Sequence, residues 1–325
     1  MIVERVNIEN NRSWNELLNI NYNIFFDYKF LNYNTIFNKG INFHHLIFKS
    51  QDKNKVLALL TGCEETNNGK KTFFSCKGAS FGGFLWREKL DVIDYQIVIS
   101  ELKKYLRENN FYDCIINNPP SIYTIDNNEE YEYALLKEGF CIKNYSLTNI
   151  INLSDFDYNK LKNPLKRTIR NSSEIINVRI VNSNEPISYL NKFYEILYNN
   201  RSLKNIKPTH TFEELMYLKK NLDDKIIFFA SEIEKFLTGI CVLFLAKKDV
   251  VLNFYLATDE DFKKYRVSDF LLYYTIKWAK ENNLRLYDIG TSDAKGSLIE
   301  GLYKFKRKFR AFGFIRKSFI INLKQ

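Results

Sequence analysis

The spacing of hydrophobic and polar positions changes repeatedly along the chain. Three apolar runs of strand length come first: HHLIFKS (44–50), KVLALLTGC (55–63) and KTFFSC (71–76). A glycine-bearing loop, GASFGG (78–83), follows them. From Glu88 to Asn109 the period lengthens, with Leu90, Val92, Ile93, Ile97, Val98, Leu102 and Leu106 near helical spacing. That spacing predicts an amphipathic helix. FYDCIIN (111–117) reads as a strand, ended by Asn118-Pro119-Pro120, because proline removes a ladder donor and restricts the residue before it. A short helix over 129–138 stops at Gly139, and a last strand runs from Cys141 to Leu153.

The same order then returns. Strands are predicted at KIIFFASE (225–232), FLTGICVLFLA (236–246) and VVLNFYLA (250–257). The loop TDEDFKKYR (258–266) leads into a helix opened by Ser268-Asp269, with Leu271, Leu272, Ile276 and Ala279 on one face. The strand LRLYDIG (284–290), the loop TSDAKGS (291–297), a helix over 298–310 and the strand GFIRKSFIINL (313–323) complete the unit. Helical patterns over 13–36 and 186–221 precede the two halves, and Thr211 with Glu214 forms a capping signature in the second. Both halves therefore read α-α-β-β-β-loop-α-β-α-β. Hairpins pair antiparallel and a β-α-β crossover pairs its strands parallel. The prediction is an α/β protein of two similar halves, each a mixed, mostly antiparallel sheet flanked by helices. The joint falls near Ser154–Asn163, which divides the chain into 1–155 and 156–325.

Composition changes this picture little. Hydrophobic residues make up 45% and charged residues 26% of the 325, an ordinary globular balance. The abundance of Asn, Lys, Ile, Tyr and Phe is what AT-rich codons give. The net charge of +10 favours anionic partners without choosing among them. Cys63, Cys76, Cys114, Cys141 and Cys241 are scattered and form no CxxC pair, so neither a disulfide framework nor a zinc site is expected and a reducing cytoplasm fits. No apolar run reaches the length of a membrane span.

Several residues are placed for chemistry. Lys263, Lys264 and Arg266 lie in a loop that joins a strand to a helix start, where unpaired N–H groups favour phosphate. Ser268 either caps that helix or binds an anion. Gly82 and Gly83 allow close backbone approach or simply make a turn. Phe81 and Trp86 stack on a base or sugar, or pack the core. Asp288, at a strand end, orients or deprotonates an amine, or closes an Asx turn into Gly290. Lys306 stabilises a developing oxyanion or belongs to a solvated basic face. Lys166, Arg167 and Arg170 share one helix at spacings of three and four, suited to a diphosphate. His210 is the histidine best placed for general base work.

Four stretches, GASFGGF (78–84), NPLKRTIRNS (163–172), LYDIGTSD (286–293) and GLYKFKRKF (301–309), give the chain a further character. In that order they resemble the S/A-x-x-GG loop, basic joint helix, D-x-G strand end and G-x-x-x-FK helix of the FemABX-like tandem-GNAT transferases. The resemblance spans nearly the whole chain and implies two GNAT-like halves. It departs from GNAT practice after Ala257, where a glycine-containing pyrophosphate loop is replaced by DEDFKKYRVSD (259–269).

The resemblance implies direct transfer of an acyl or aminoacyl group to an amine, without an acyl-enzyme. Members divide between peptidoglycan bridge enzymes that use aminoacyl-tRNA and enzymes that use acyl-CoA. The expectation is an acyl-CoA-dependent N-acyltransferase of a nucleotide-linked amino sugar, cytoplasmic, in synthesis of lipopolysaccharide or another cell-envelope polysaccharide. CoA enters as cosubstrate and no metal is required. The donor would lie along Phe254, Leu256, Ala257, Lys263, Lys264, Tyr265, Arg266 and Ser268. The acceptor would meet Phe81, Gly82, Gly83, Trp86, Lys166, Arg167 and Arg170, and Asp288, Lys306 and His210 would serve the chemistry. An aminoacyl-tRNA-dependent peptidoglycan aminoacyltransferase and a non-catalytic tandem-GNAT binding module are the alternatives.

Overall fold

A computed structural model of the protein describes residues 1–50, 55–75, 77–294 and 296–324. In chain order the first elements are β1 (Ile2–Arg5), α1 (Arg12–Ile20), α2 (Tyr28–Phe37), β2 (Phe43–Lys49), β3 (Val56–Asn67), β4 (Lys70–Phe74) and β5 (Phe84–Trp86). Then come α3 (Val92–Glu108), β6 (Asp113–Asn117), α4 (Glu129–Lys137), β7 (Cys141–Asn152), α5 (Asn163–Ser173) and β8 (Asn177–Val181). α6 (Ile187–Ser202), α7 (Phe212–Asn221), β9 (Ile226–Ile233), β10 (Phe236–Lys247), β11 (Val250–Thr258), α8 (Val267–Glu281) and β12 (Leu286–Thr291) follow. The hairpin β13 (Asp293–Ala294) and β14 (Ser297–Leu298), then α9 (Glu300–Arg307) and β15 (Phe312–Asn322), close the chain. Cys76, at the end of the strand expected over 71–76, and Lys295, in the loop expected over 291–297, lie outside the described residues.

Two units result: Met1–Leu147 with Phe314–Gln325, and Thr148–Gly313. In the first, β1, β2, β3 and β4 pair antiparallel in sequence, β4 pairs parallel with β6, and β6 pairs antiparallel with β15. α3 covers this sheet because Tyr95, Val98, Ile99, Leu102 and Leu106 recur on one face and are buried. Its start is fixed by Asp91, whose carboxylate accepts from Asp94 N at 2.9 Å, a standard way to satisfy an orphan helix donor.

In the second unit the antiparallel strands β8, β9, β10 and β11 lead to β12, parallel to β11. β10 is buried along nearly its whole length, as a central strand covered on both faces must be. One cover is α5 with α8, whose Leu165, Ile169, Leu271 and Ile276 enter the core around Leu243 and Tyr287. α6 covers another part, where Phe193 stacks on Phe228 at 4.9 Å. The expected cap on α7 is present: Glu214 N donates to Thr211 Oγ1 at 3.3 Å, and Thr211 N to Glu214 Oε2 at 2.8 Å.

One expectation needs correction. Each half was expected to end on its own last strand. Instead Thr148, Ile150, Ile151 and Asn152 of β7 pair with β12, and Ser318–Asn322 of β15 pairs with β6. Ile150 and Ile151 are buried in the second unit, Phe319 and Ile321 in the first. The closing strand of each half completes the other unit's sheet, so the chain does not divide by a single cut at 155/156. The helical patterns over 13–36 and 186–221 each resolve into two helices, and β1, β5 and β8 are too short for a periodicity signal. Among the described residues, no helix is long and apolar enough to cross a membrane.

Candidate active site: a basic cleft in the second unit

β11 is a buried strand with a break in it. Val242 of β10 pairs with Tyr255, and Leu243 pairs with Asn253, so Phe254 has no partner and forms a β-bulge. A bulge bends a strand and re-aims its side chains. On the other side, β11 pairs with β12 only at Val250, Val251 and Leu252. From Asn253 to Thr258, β11 has no partner on that side among the described residues. The strands part like a V, and Asn253 Nδ2, donating to the buried Tyr287 hydroxyl at 3.0 Å, holds its apex.

The loop after β11 is a 3-10 turn over Glu260–Tyr265 that ends on Arg266 in the left-handed conformation, φ 59°. A glycine would take this position without steric cost; Arg266 takes it here and starts α8. Asp269 N and Phe270 N bond back to Arg266 O. The N–H groups of Val267 and Ser268 have no acceptor among the described residues. They form the anion-seeking end of α8.

A cleft of about 430 Å³ opens here. Leu256, Ala257 and Thr258 form one wall and Arg266 to Asp269 another; Asn200, Lys204, Lys263, Leu302, Phe305 and Lys308 complete the lining. Four cations thus face two uncapped N–H groups. Their neutralisation within the protein is partial: Lys263 pairs with Glu260 at 2.5 Å, while Arg266 and Lys308 share Asp269 at 2.9 and 3.5 Å. Desolvation, with Arg201 and Lys263 as like-charged neighbours, lowers the Lys204 ammonium below its ordinary value, and Glu260 opposes this.

The cleft brings together Leu256, Ala257, Lys263, Arg266 and Ser268 of the expected donor set. Phe254 lies outside its lining and stacks on Phe244 at 4.5 Å. Lys264 lies over the Tyr265 ring at 5.0 Å, and Tyr265 O accepts from Ser172 Oγ of α5 at 3.0 Å. Asn200, Lys204, Thr258, Val267, Asp269, Leu302, Phe305 and Lys308 were not expected. Asn200 and Lys204 are one helical turn apart, but only the tertiary fold brings α6 beside β11.

None of the three expected catalytic residues lines this cleft. Asp288 is buried and accepts from Thr148 Oγ1 at 2.6 Å and Gly290 N at 2.7 Å. It closes the Asx turn and does not line the cleft. Lys306 is buried, and its ammonium donates to Gly290 O at 2.7 Å and Thr291 O at 2.6 Å. It clamps the end of β12. His210 is fully buried, with Nδ1 3.0 Å from the Tyr255 hydroxyl, and holds the segment before α7 against β11.

The expected acceptor loop is closely packed. Phe81 is buried, edge-on to Phe25 at 4.8 Å and 4.4 Å from Tyr123. Trp86 is buried and stacked on Phe84 at 4.7 Å. Neither presents a face to a ligand. Gly82 N donates to Asn117 O at 2.8 Å. Gly83 has φ 79°, and a Cβ there would come within 2.8 Å of Asn118 Oδ1. On α5 the placement is different: Arg167 and Arg170 are exposed, while Lys166 Nζ donates to Asn159 O at 3.4 Å. Among the described residues no three His, Cys, Asp or Glu side chains converge as a metal site.

Known proteins share this fold. The FemAB family model matches residues 190–317. Similar solved structures include FemX, at 12% identity and TM-score 0.72 over 99% of this chain and 97% of that one. L-PGS from Bacillus licheniformis is similar at 14% identity and TM-score 0.62, over 98% and 93%. A tandem GNAT protein from the clavulanic acid biosynthesis pathway is similar at 8% identity and TM-score 0.58, over 99% and 98%. None of the curated proteins matches by sequence. The chain has a FemABX-like tandem-GNAT fold, and its FemAB match spans β11, α8 and α9, the elements that build the cleft.

Proposed function

We propose that the chain is an N-acyltransferase whose phosphate-bearing acyl donor docks in the cleft of the second unit. The observation that carries this is the parted pair β11/β12, with the uncapped start of α8 and four cations beside it. The volume, about 430 Å³, suits a small-molecule carrier, which favours acyl-CoA. Its pyrophosphate would meet the N–H groups of Val267 and Ser268 and the charges of Lys204 and Arg266. Its acyl arm would lie along β11.

A neutral amine attacks the thioester carbonyl in this reading. The oxyanion forms against unpaired N–H groups of β11; as it collapses the C–S bond breaks, and the CoA thiolate takes up the proton that the amine nitrogen gives to solvent and departs as the free thiol. The acceptor proposed is a nucleotide-linked amino sugar, its diphosphate held by Arg167 and Arg170 on α5. Free-thiol release from acyl-CoAs paired with amino-sugar nucleotides tests this; no release with any pair would refute it.

The FemAB match favours a second reading, aminoacyl transfer from tRNA to a peptidoglycan amine. Transfer of labelled amino acid from charged tRNA, without turnover of acyl-CoA, would establish that reading instead.

A further inference from the structure

α9 has two unlike faces. Leu302 and Phe305 line the donor cleft, whereas Tyr303, Lys304 and Arg307 line a second and larger depression, and Lys308 borders both. This basin measures about 640 Å³. Lys160 and Lys162, which lead into α5, and Arg310, after α9, complete it. Six of its seven lining side chains are cationic and none is acidic. Lys304 pairs with Glu300 at 2.7 Å and Lys308 faces Asp269 at 3.5 Å. Arg307 donates to the Ala311 carbonyl at 2.5 Å. Lys160, Lys162 and Arg310 have no carboxylate partner among the described residues. Like charges gathered at one place repel one another unless an anion sits among them.

The rim is apolar. Leu298 and Ile299 immediately precede α9 and are 48% and 44% exposed. Ile299 O accepts from Tyr303 N, which puts Ile299 one turn from the basin. Phe312, past the other end of α9, is 40% exposed and lines a small hollow with Arg310, Phe156 and Asp155. A free soluble phosphate has no use for such a rim. A basic surface edged by exposed aliphatic and aromatic side chains matches the layered chemistry of a bilayer surface: anionic headgroups outside, hydrocarbon beneath.

We propose that this face of the second unit docks on an anionic phospholipid surface. Headgroup phosphates enter the basin, Leu298 and Ile299 dip into the interface, and the donor cleft, across α9, stays open to solvent at the membrane edge. The inference is independent of the donor's identity, because it concerns the other face of α9.

The test is sedimentation of the full chain with vesicles of phosphatidylcholine alone and with an equal part of phosphatidylglycerol. Binding is expected only with the anionic lipid and is expected to fall with added salt. The triple variant Lys160→Gln, Lys162→Gln, Arg307→Gln should lose about 100-fold in partitioning, roughly fivefold per cation. These side chains are exposed, and an unchanged Tm would confirm the fold. The double variant Leu298→Ser, Ile299→Ser keeps the charge and should lose about tenfold. Failure to bind anionic vesicles overturns the proposal. Binding that the aliphatic variant leaves unchanged, together with tight binding of an RNA duplex that the cationic variant abolishes, also overturns it and assigns the basin to nucleic acid. Vesicle binding is read without turnover, so its failure and the failure of acyl transfer are separable.

Discussion

The two units place the same device at the same point of their sheets and treat it in opposite ways. In the first, β4 and β6 run parallel for three residue pairs, Thr72–Phe74 with Asp113–Ile115. In the second, β11 and β12 do the same at Val250–Leu252 with Leu286–Asp288. Beyond those pairs the first unit is closed by side chain and loop: Asn117 N donates to Ser75 Oγ at 3.0 Å, Gly82 N reaches Asn117 O, and Phe81 fills the interior. In the second unit β11 continues past the parting point and leaves a charged cleft. A parted parallel pair leaves room for a ligand only where nothing packs into it. The glycines of the first unit belong to the packing, because their missing side chains let the loop lie on Asn117 and Asn118.

Emptying the charge from the open side should have the largest effect. Lys204→Gln with Arg266→Gln removes two charge-assisted contacts, expected to weaken CoA binding about 10²–10⁴-fold by calorimetry. Opening the closed side should act on stability alone. Phe81→Ala removes a buried aromatic ring and should cost about 3–5 kcal/mol in denaturant unfolding, with the CoA Kd of the remaining folded protein unchanged. A changed Kd would mean that the first unit takes part in donor binding.

Asp288→Asn separates a structural carboxylate from a catalytic base. Thr148 Oγ1 and Gly290 N both donate to one carboxylate oxygen; an amide oxygen can accept both but carries no charge, so a loss of about 1–3 kcal/mol is expected. The pH dependence of kcat should keep its shape; disappearance of a limb would restore Asp288 to the chemistry.

A smaller effect concerns Lys204. Its lowered pKa means that the ammonium discharges at a lower pH than an ordinary lysine. Only the protonated form attracts phosphate, so donor affinity should fall as pH rises through that titration. Lys204→Arg, which stays charged, should remove the fall, and an unaltered profile would exclude Lys204 from the site.

The sequence made the ladder order readable because periods of two and 3.6 alternate in both halves, as in β11 followed by α8. It did not reveal the exchange of closing strands, since FIINL and NIINL offer similar apolar edges and pairing is decided at long range. The loop that walls the cleft was legible because charge and a helix start coincide within Lys263–Ser268. Lys204 and Lys308 were not, because they lie just past the ends of α6 and α9 and meet only in the tertiary fold. Asp288 and Lys306 were legible as the D-x-G and FK positions of a resemblance, and the fold buries both at the turn after β12.

The central claim is that the donor's phosphates bind in the open parting of the second unit. The most direct measurement is a crystal structure of the chain with CoA. The account predicts the pyrophosphate within hydrogen-bond distance of Val267 N and Ser268 N, beside Lys204 and Arg266, with the pantetheine arm along β11. CoA bound against β4 and the loop at Gly82 and Gly83, with the β11 cleft empty, would contradict it.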